Sequence, residues 1–131
     1  MAKGHRSQIK KERNAENKER RPYAVHKYAR ISDRKARIVL EQIKGKDVLQ
    51  ALGILKYSPR HGSDLIEKVL QSAIANAEHN LDLDVSDLYV QEVVAEQGPT
   101  FKRIQPRARG MAYPIKKRTS HIRVILNTRE V

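Results

Sequence analysis

Between Gln105 and Val124 the chain reads QPRARGMAYPIKKRTSHIRV, with six basic side chains, two prolines, one glycine and no acid. Arg107, Arg109, Lys116, Lys117 and Arg118 are residue types that hold phosphate. Arginine does so as a planar fork that binds two oxygens and can stack on a base, lysine as a compact charge. Tyr113 can stack on an unpaired base, and His121 beside the run reads as a phosphate or base contact. Lys102 and Arg103 extend the charge upstream, and Arg34, Lys35 and Arg37 form a second cluster. Cations without local acids point to a polyanion as the partner.

Other chemistry fares poorly. The chain has no cysteine, which excludes a disulfide scaffold, a thiolate nucleophile and a Cys-based zinc site. The five histidines, at positions 5, 26, 61, 79 and 121, show no paired ligand spacing. Asp82 to Asp87, DLDVSD, starts like a calcium loop, but Asp87 stands where glycine is needed and Val93 where the closing glutamate belongs. Ser120 and His121 lack a glycine elbow and an orienting acid. A nuclease using Asp82, Asp84 or Glu92 would need convergent acids that the sequence does not reveal. No enzyme, metal or cofactor is expected.

The elements that must position the basic run come from a chain of 131 residues, 39% hydrophobic and 32% charged, a length suited to one domain. With no Trp and one Phe the core has to be aliphatic. The net charge is +12, which favours nucleic acid ahead of an acidic membrane surface, because cations that neutralise phosphates release condensed counterions. No apolar run approaches the roughly 20 residues of a membrane span. No hydrophobic secretory segment opens the chain, and Glu12, Glu16 and Glu19 are foreign to transit peptides, so a cytosolic protein with no membrane partner is expected.

Charge divides the chain into three. Residues 1–37 hold 13 basic and 4 acidic side chains, net +9; residues 38–97 hold 5 and 10, net −5; residues 98–131 hold 9 and 1, net +8. Two basic ends bracketing an acidic, apolar middle fit a middle that folds and ends that touch phosphate. Residues 1–21, almost without apolar side chains, read as a basic tail, flexible or weakly helical. Residues 22–131 read as a single nucleic-acid-binding domain.

Within that domain YAVHKYARI, Tyr23 to Ile31, reads as a strand with Val25, Lys27, Ala29 and Ile31 on one side. A helix is predicted after Ser32 or Asp33, with Ala36, Val39, Leu40 and Ile43 as its apolar stripe and Gly45 ending it. Arg34, Lys35 and Arg37 crowd the positive end of that helix, an arrangement that an external anion would relieve. A second helix follows Asp47, with Val48, Ala51, Leu52 and Leu55 on one face, before Pro59 and Gly62 break the chain. A third, capped by Ser63 or Asp64, buries Ile66, Val69, Leu70, Ala73, Ile74 and Ala77.

LYVQEVVAE and HIRVIL read as strands, and the connector from about Gln97 to Ser120 is far longer than an ordinary loop. If the two strands pair, the connector runs out and back with Gly110 near the turn, reaching roughly 40 Å at about 3.3 Å per residue. Pro106 and Pro114 remove ladder donors, and the legs offer no alternating apolar face, so such an arm is marginal in free solution. It is expected to bury itself in nucleic acid. Charge and length do not separate RNA from DNA, so a DNA architectural protein gripping the minor groove with a β-arm is the second reading. Preference for folded RNA over duplex DNA at the same salt separates them.

RGMAYPIKKRTSHI, Arg109 to Ile122, together with ARISDRKARIVLEQIKGK and LIEKVLQSAIANAEHN, resembles the bacterial form of the large-subunit ribosomal protein L twenty-two family, over about residues 22 to 129. The resemblance implies an α+β fold, with three helices packed on a small antiparallel sheet and a long basic β-hairpin arm, about 97–120. It implies a structural protein at the surface of the large ribosomal subunit that binds rRNA and assists assembly. Its arm tip, Arg107, Ala108, Arg109, Gly110, Met111, Ala112 and Tyr113, would line the polypeptide exit tunnel. The partners implied are large-subunit rRNA, neighbouring ribosomal proteins near the tunnel exit, and the nascent polypeptide and macrolides near the tip. The sequence departs from many relatives at Met111, where they carry Arg.

Overall fold

The computed structural model describes residues 3–129, with side chains from Arg6 onward. Its elements are α1 (Lys3–Glu16), β1 (Tyr23–Ala29), α2 (Asp33–Ile43), α3 (Val48–Tyr57), α4 (His61–Leu81), β2 (Leu88–Gln97), β3 (Phe101–Pro106), β4 (Ala112–Lys117) and β5 (Ser120–Thr128). The order β1-β5-β2 makes a three-stranded antiparallel sheet, and β3 pairs only with β4. The α+β expectation holds: α2, α3 and α4 are the three helices of the domain. The fourth, α1, forms within the tail. Its sequence is mostly Lys, Arg, Gln, Glu and Ala, which lose little freedom in a helix.

The stripe of α2, Ala36, Val39, Leu40 and Ile43, is buried as its spacing predicts. Ser32 caps the helix, its hydroxyl accepting from the Lys35 N–H at 3.4 Å, and Gly45 takes φ +76° beyond its end. Val48, Ala51 and Leu55 of α3 are buried, with Leu52 partly so. The largest fully buried side chains include Leu40, Ile43, Leu55, Ile66, Leu70, Leu88, Ile122 and Leu126, an aliphatic core shared by helices and sheet. Each such side chain contributes roughly 1.5–3 kcal/mol by leaving water.

Two local expectations need correction. α4 begins at His61, before the predicted Ser63 or Asp64 cap, with Arg60 as the N-cap residue. Gly62 is not a breaker but a contact: a Cβ there would sit 2.8 Å from Ile31 Cδ1 and 3.6 Å from Val39 Cγ2, so this first turn packs closely on β1's exit and α2. Ser63 consequently lies inside the helix, buried, with its hydroxyl unpartnered.

The faces of β1 also differ from the expected alternation. Ala24 and Ala29 are buried, whereas Val25 is 43% exposed. The pairing with β5 shifts between His26 and Ala29, and Tyr28 takes φ +58°. A strand read with a strict period of two loses its phase at such a bulge.

The open edge of β2 is closed by the α2–α3 loop: Gly45 N–H donates to Val90 O at 2.8 Å, and Val90 N–H donates to Lys46 O at 2.9 Å. β2 itself bulges, since Val90 opposes Leu126 and Glu92 opposes Ile125, leaving Gln91 as the extra residue.

Candidate nucleic-acid interface

In the arm, Phe101 opposes Lys117, Lys102 opposes Lys116, Arg103 opposes Ile115, Ile104 opposes Pro114, Gln105 opposes Tyr113 and Pro106 opposes Ala112. All of these residues are exposed except Ile115, which is half-buried. Residues directly across share one side of the ribbon, so Lys102 and Lys116 stand as a like-charge pair, which destabilises a free hairpin. Among the described residues no ion pair involves Lys102, Arg103, Arg107, Arg109, Lys116, Lys117 or Arg118.

The tip turns where Arg107 N–H donates to Met111 O at 2.8 Å. Arg109 at φ 62° and Gly110 at φ 69° reverse the chain through two consecutive left-handed residues, at a cost of roughly 1–2 kcal/mol for the arginine. Gly110 was legible as a turn residue; the strained arginine beside it was not. The Arg107 guanidinium lies 5.7 Å from the Tyr113 ring centre, a cation–π arrangement that presents both groups at the end of the arm.

The root is held by a clasp. Gly98 N–H donates to Thr119 O at 2.9 Å, and the Thr119 hydroxyl donates to Pro99 O at 2.5 Å. Thr119 and Ser120 are buried. A Cβ on Gly98 would lie 2.6 Å from Thr119 Oγ1, so the two legs leave the domain closer together than any other residue allows. Just beyond, the chain's single Phe, Phe101, is 47% exposed, with the Arg30 guanidinium 5.2 Å from its ring centre.

A groove of about 770 Å³ joins this root to the domain; Arg30, Arg34, Lys35, Arg60, Lys116, Lys117 and Arg118 line it, with Asp33 as the one acid among them. Thus the fold brings Arg34 and Lys35 of the predicted α2 cluster together with Lys116, Lys117 and Arg118 of the predicted arm cluster. It adds Arg30 and Arg60, which sequence reasoning missed. Arg60 sits at the N-cap of α4, so two helix N-termini, of α2 and α4, face the same groove. Converging cations and helix N-termini suit an anion.

Two predicted contacts are otherwise engaged. Arg37 reaches Asp33 Oδ2 at 3.1 Å and donates to Ala95 O at 3.0 Å, tying α2 to β2. His121 accepts the Tyr28 N–H at Nδ1, 3.0 Å away, and its ring meets the Tyr28 ring edge-on at 4.8 Å. It therefore supports the β1 bulge.

The acids weighed for metal or nuclease chemistry serve the chain's turns. Asp82 ends α4 at φ 51°, Asp84 accepts the Ser86 N–H at 3.1 Å, and Asp87 O accepts the Arg129 N–H at 3.0 Å. Glu92 faces Arg21 at 3.7 Å. The same Arg21 grips Glu19 through two hydrogen bonds of 2.7 Å and donates to Gln91 Oε1 at 3.0 Å, fixing the segment before β1 to the β2 bulge. These side-chain hydrogen bonds from Arg21 hold the Glu19 carboxyl down at about 2, from an ordinary 4.5.

The structure is a small α+β domain that projects an acid-free ribbon beside a groove lined mainly by cations. Ribosomal protein L22p/L17e is the family that matches, over residues 24–127, and the chain belongs to it. It is similar to the "Large ribosomal subunit protein uL22" of Lachnoclostridium phytofermentans, 61% identical over 98% of this chain and 100% of that protein. The Agathobacter rectalis protein of the same name is 54% identical, again over 98% and 100%. That of Ligilactobacillus salivarius is 58% identical over 81% of this chain and 92% of its own length.

Proposed function

We propose that the chain is a structural, non-enzymatic constituent of the large ribosomal subunit in the cytoplasm, binding rRNA and assisting subunit assembly. The observation that carries this is the arm: a ribbon with unpaired cations, a like-charge pair across its strands and a rigid root opening onto a basic groove. Lys102, Arg103, Arg107, Arg109, Lys116, Lys117 and Arg118 contact rRNA along the arm, with Arg34 and Lys35 in the groove. Tyr113 stacks at the tip. Residues 107–113 line the polypeptide exit tunnel, where the nascent chain passes and where macrolides bind nearby; neighbouring ribosomal proteins surround the domain.

The test is sedimentation of tagged full-length protein from lysate through a sucrose gradient, with and without RNase. Migration with the large subunit, and release by RNase, is the expected result. Retention on DNA would move the β-arm DNA architectural reading to the front.

A further inference from the structure

Helix α1 has no place in the domain core. Every side chain from Arg6 to Lys18 is exposed, and an isolated helix of 14 residues is marginal in water. Something outside the chain must hold it. Arg6, Lys10 and Arg13 stand at i, i+4 and i+7, which at about 100° per residue places them within an arc of about 60°. Glu12 and Glu16 are turned about 130° and about 90° from the centre of that arc. Among the described residues none of the three cations forms an ion pair.

We infer that this face of α1 is a second RNA-binding surface, separate from arm and groove, which lies along a phosphate backbone. The inference rests on the ribosomal reading above. Charge complementarity selects the occupant: three aligned cations match a chain of phosphates, whereas Ile9, the one large apolar side chain on the helix, gives no face for a membrane or a hydrophobic protein groove. The Arg21 contacts to Glu19 and Gln91 fix where the segment joins the sheet, so α1 starts from a defined point on the domain. The helix also lies outside the family match, which begins at residue 24.

The experiment measures binding of the full chain to deproteinised large-subunit rRNA across a salt series. Three variants accompany it: R6Q/K10Q/R13Q, R107Q/R109Q as the arm control, and Gln8→Pro, which breaks the helix and keeps every charge. The triple variant should lower the log–log salt slope by about two units, at about 0.7 per phosphate contact on single strands. Gln8→Pro should weaken binding at least about threefold at fixed salt, since proline in a helix interior disrupts it. An unchanged slope in the triple variant, with the arm control still lowered, overturns the inference and leaves the ribosomal reading intact. A lowered slope with Gln8→Pro unaffected overturns the helical face, because loose charge would then suffice. Failure of the wild type to bind rRNA falls on the ribosomal reading itself. Unchanged thermal unfolding of the domain in all variants excludes misfolding as the cause.

Discussion

Arg21 does three things at once: it grips Glu19, reaches Gln91 and approaches Glu92. Glu19 titrates near 2 when folded and near 4.5 when not. A carboxyl with a lowered folded pKa contributes its stability above the unfolded value, and that contribution is lost as pH falls from about 4.5 towards 2. Both side chains remain about one third exposed, so the contribution is small. The expected outcome is a Glu19 carboxyl resonance titrating near 2, with Glu19→Gln reducing the acid sensitivity of unfolding only in that window. A midpoint near 4.5 would show that the grip does not persist in solution. None of this was legible in the sequence, where Glu19 is one acid in a mixed-charge run; the β2 bulge that brings Gln91 to Arg21 cannot be read from composition.

At the scale of elements, periodicity reported well where packing is regular. α2 and α3 bury the predicted stripes because one face of each meets the core and nothing interrupts the helical period. Prediction failed where one residue serves packing in place of conformation. Gly62 looked like punctuation, yet it packs against Ile31 and Val39 inside α4, and the bulge at Tyr28 shifts the phase of β1 between Ala24 and Ala29. Gly98 belongs to the same class. Gly98→Ala would push Thr119 Oγ1 off Pro99 O, and overpacking of this kind costs typically 1–3 kcal/mol, so a loss of about that size is expected in denaturant unfolding. Unchanged stability would mean that the clasp yields without strain.

The whole molecule separates its two tasks. The acidic, apolar middle supplies most of the helices and β2, while the basic ends give the core β1 and its central strand β5 and project from it as α1 and the arm. The arm was legible because a long acid-free connector between two strands has few other solutions. The groove was not, because Arg30, Arg60 and Lys116 lie far apart in sequence and only the tertiary fold brings them together. Replacing Lys116 and Lys117 by Ala should lower the salt slope of rRNA binding by about 1.4 to 1.8 units, at about 0.7–0.9 per contact. An unchanged slope would remove both from the contact surface.

The clasp at Thr119 also sets an angular tolerance. From Gly98 to Gly110 the arm extends roughly 40 Å, at about 3.3 Å per residue, so a tilt of only about 10° at its root would swing the tip sideways by about 7 Å. A hydroxyl and a missing methyl group at the pivot therefore govern where Arg109 and Tyr113 arrive. Substitutions there would misplace the tip without touching anything the tip touches.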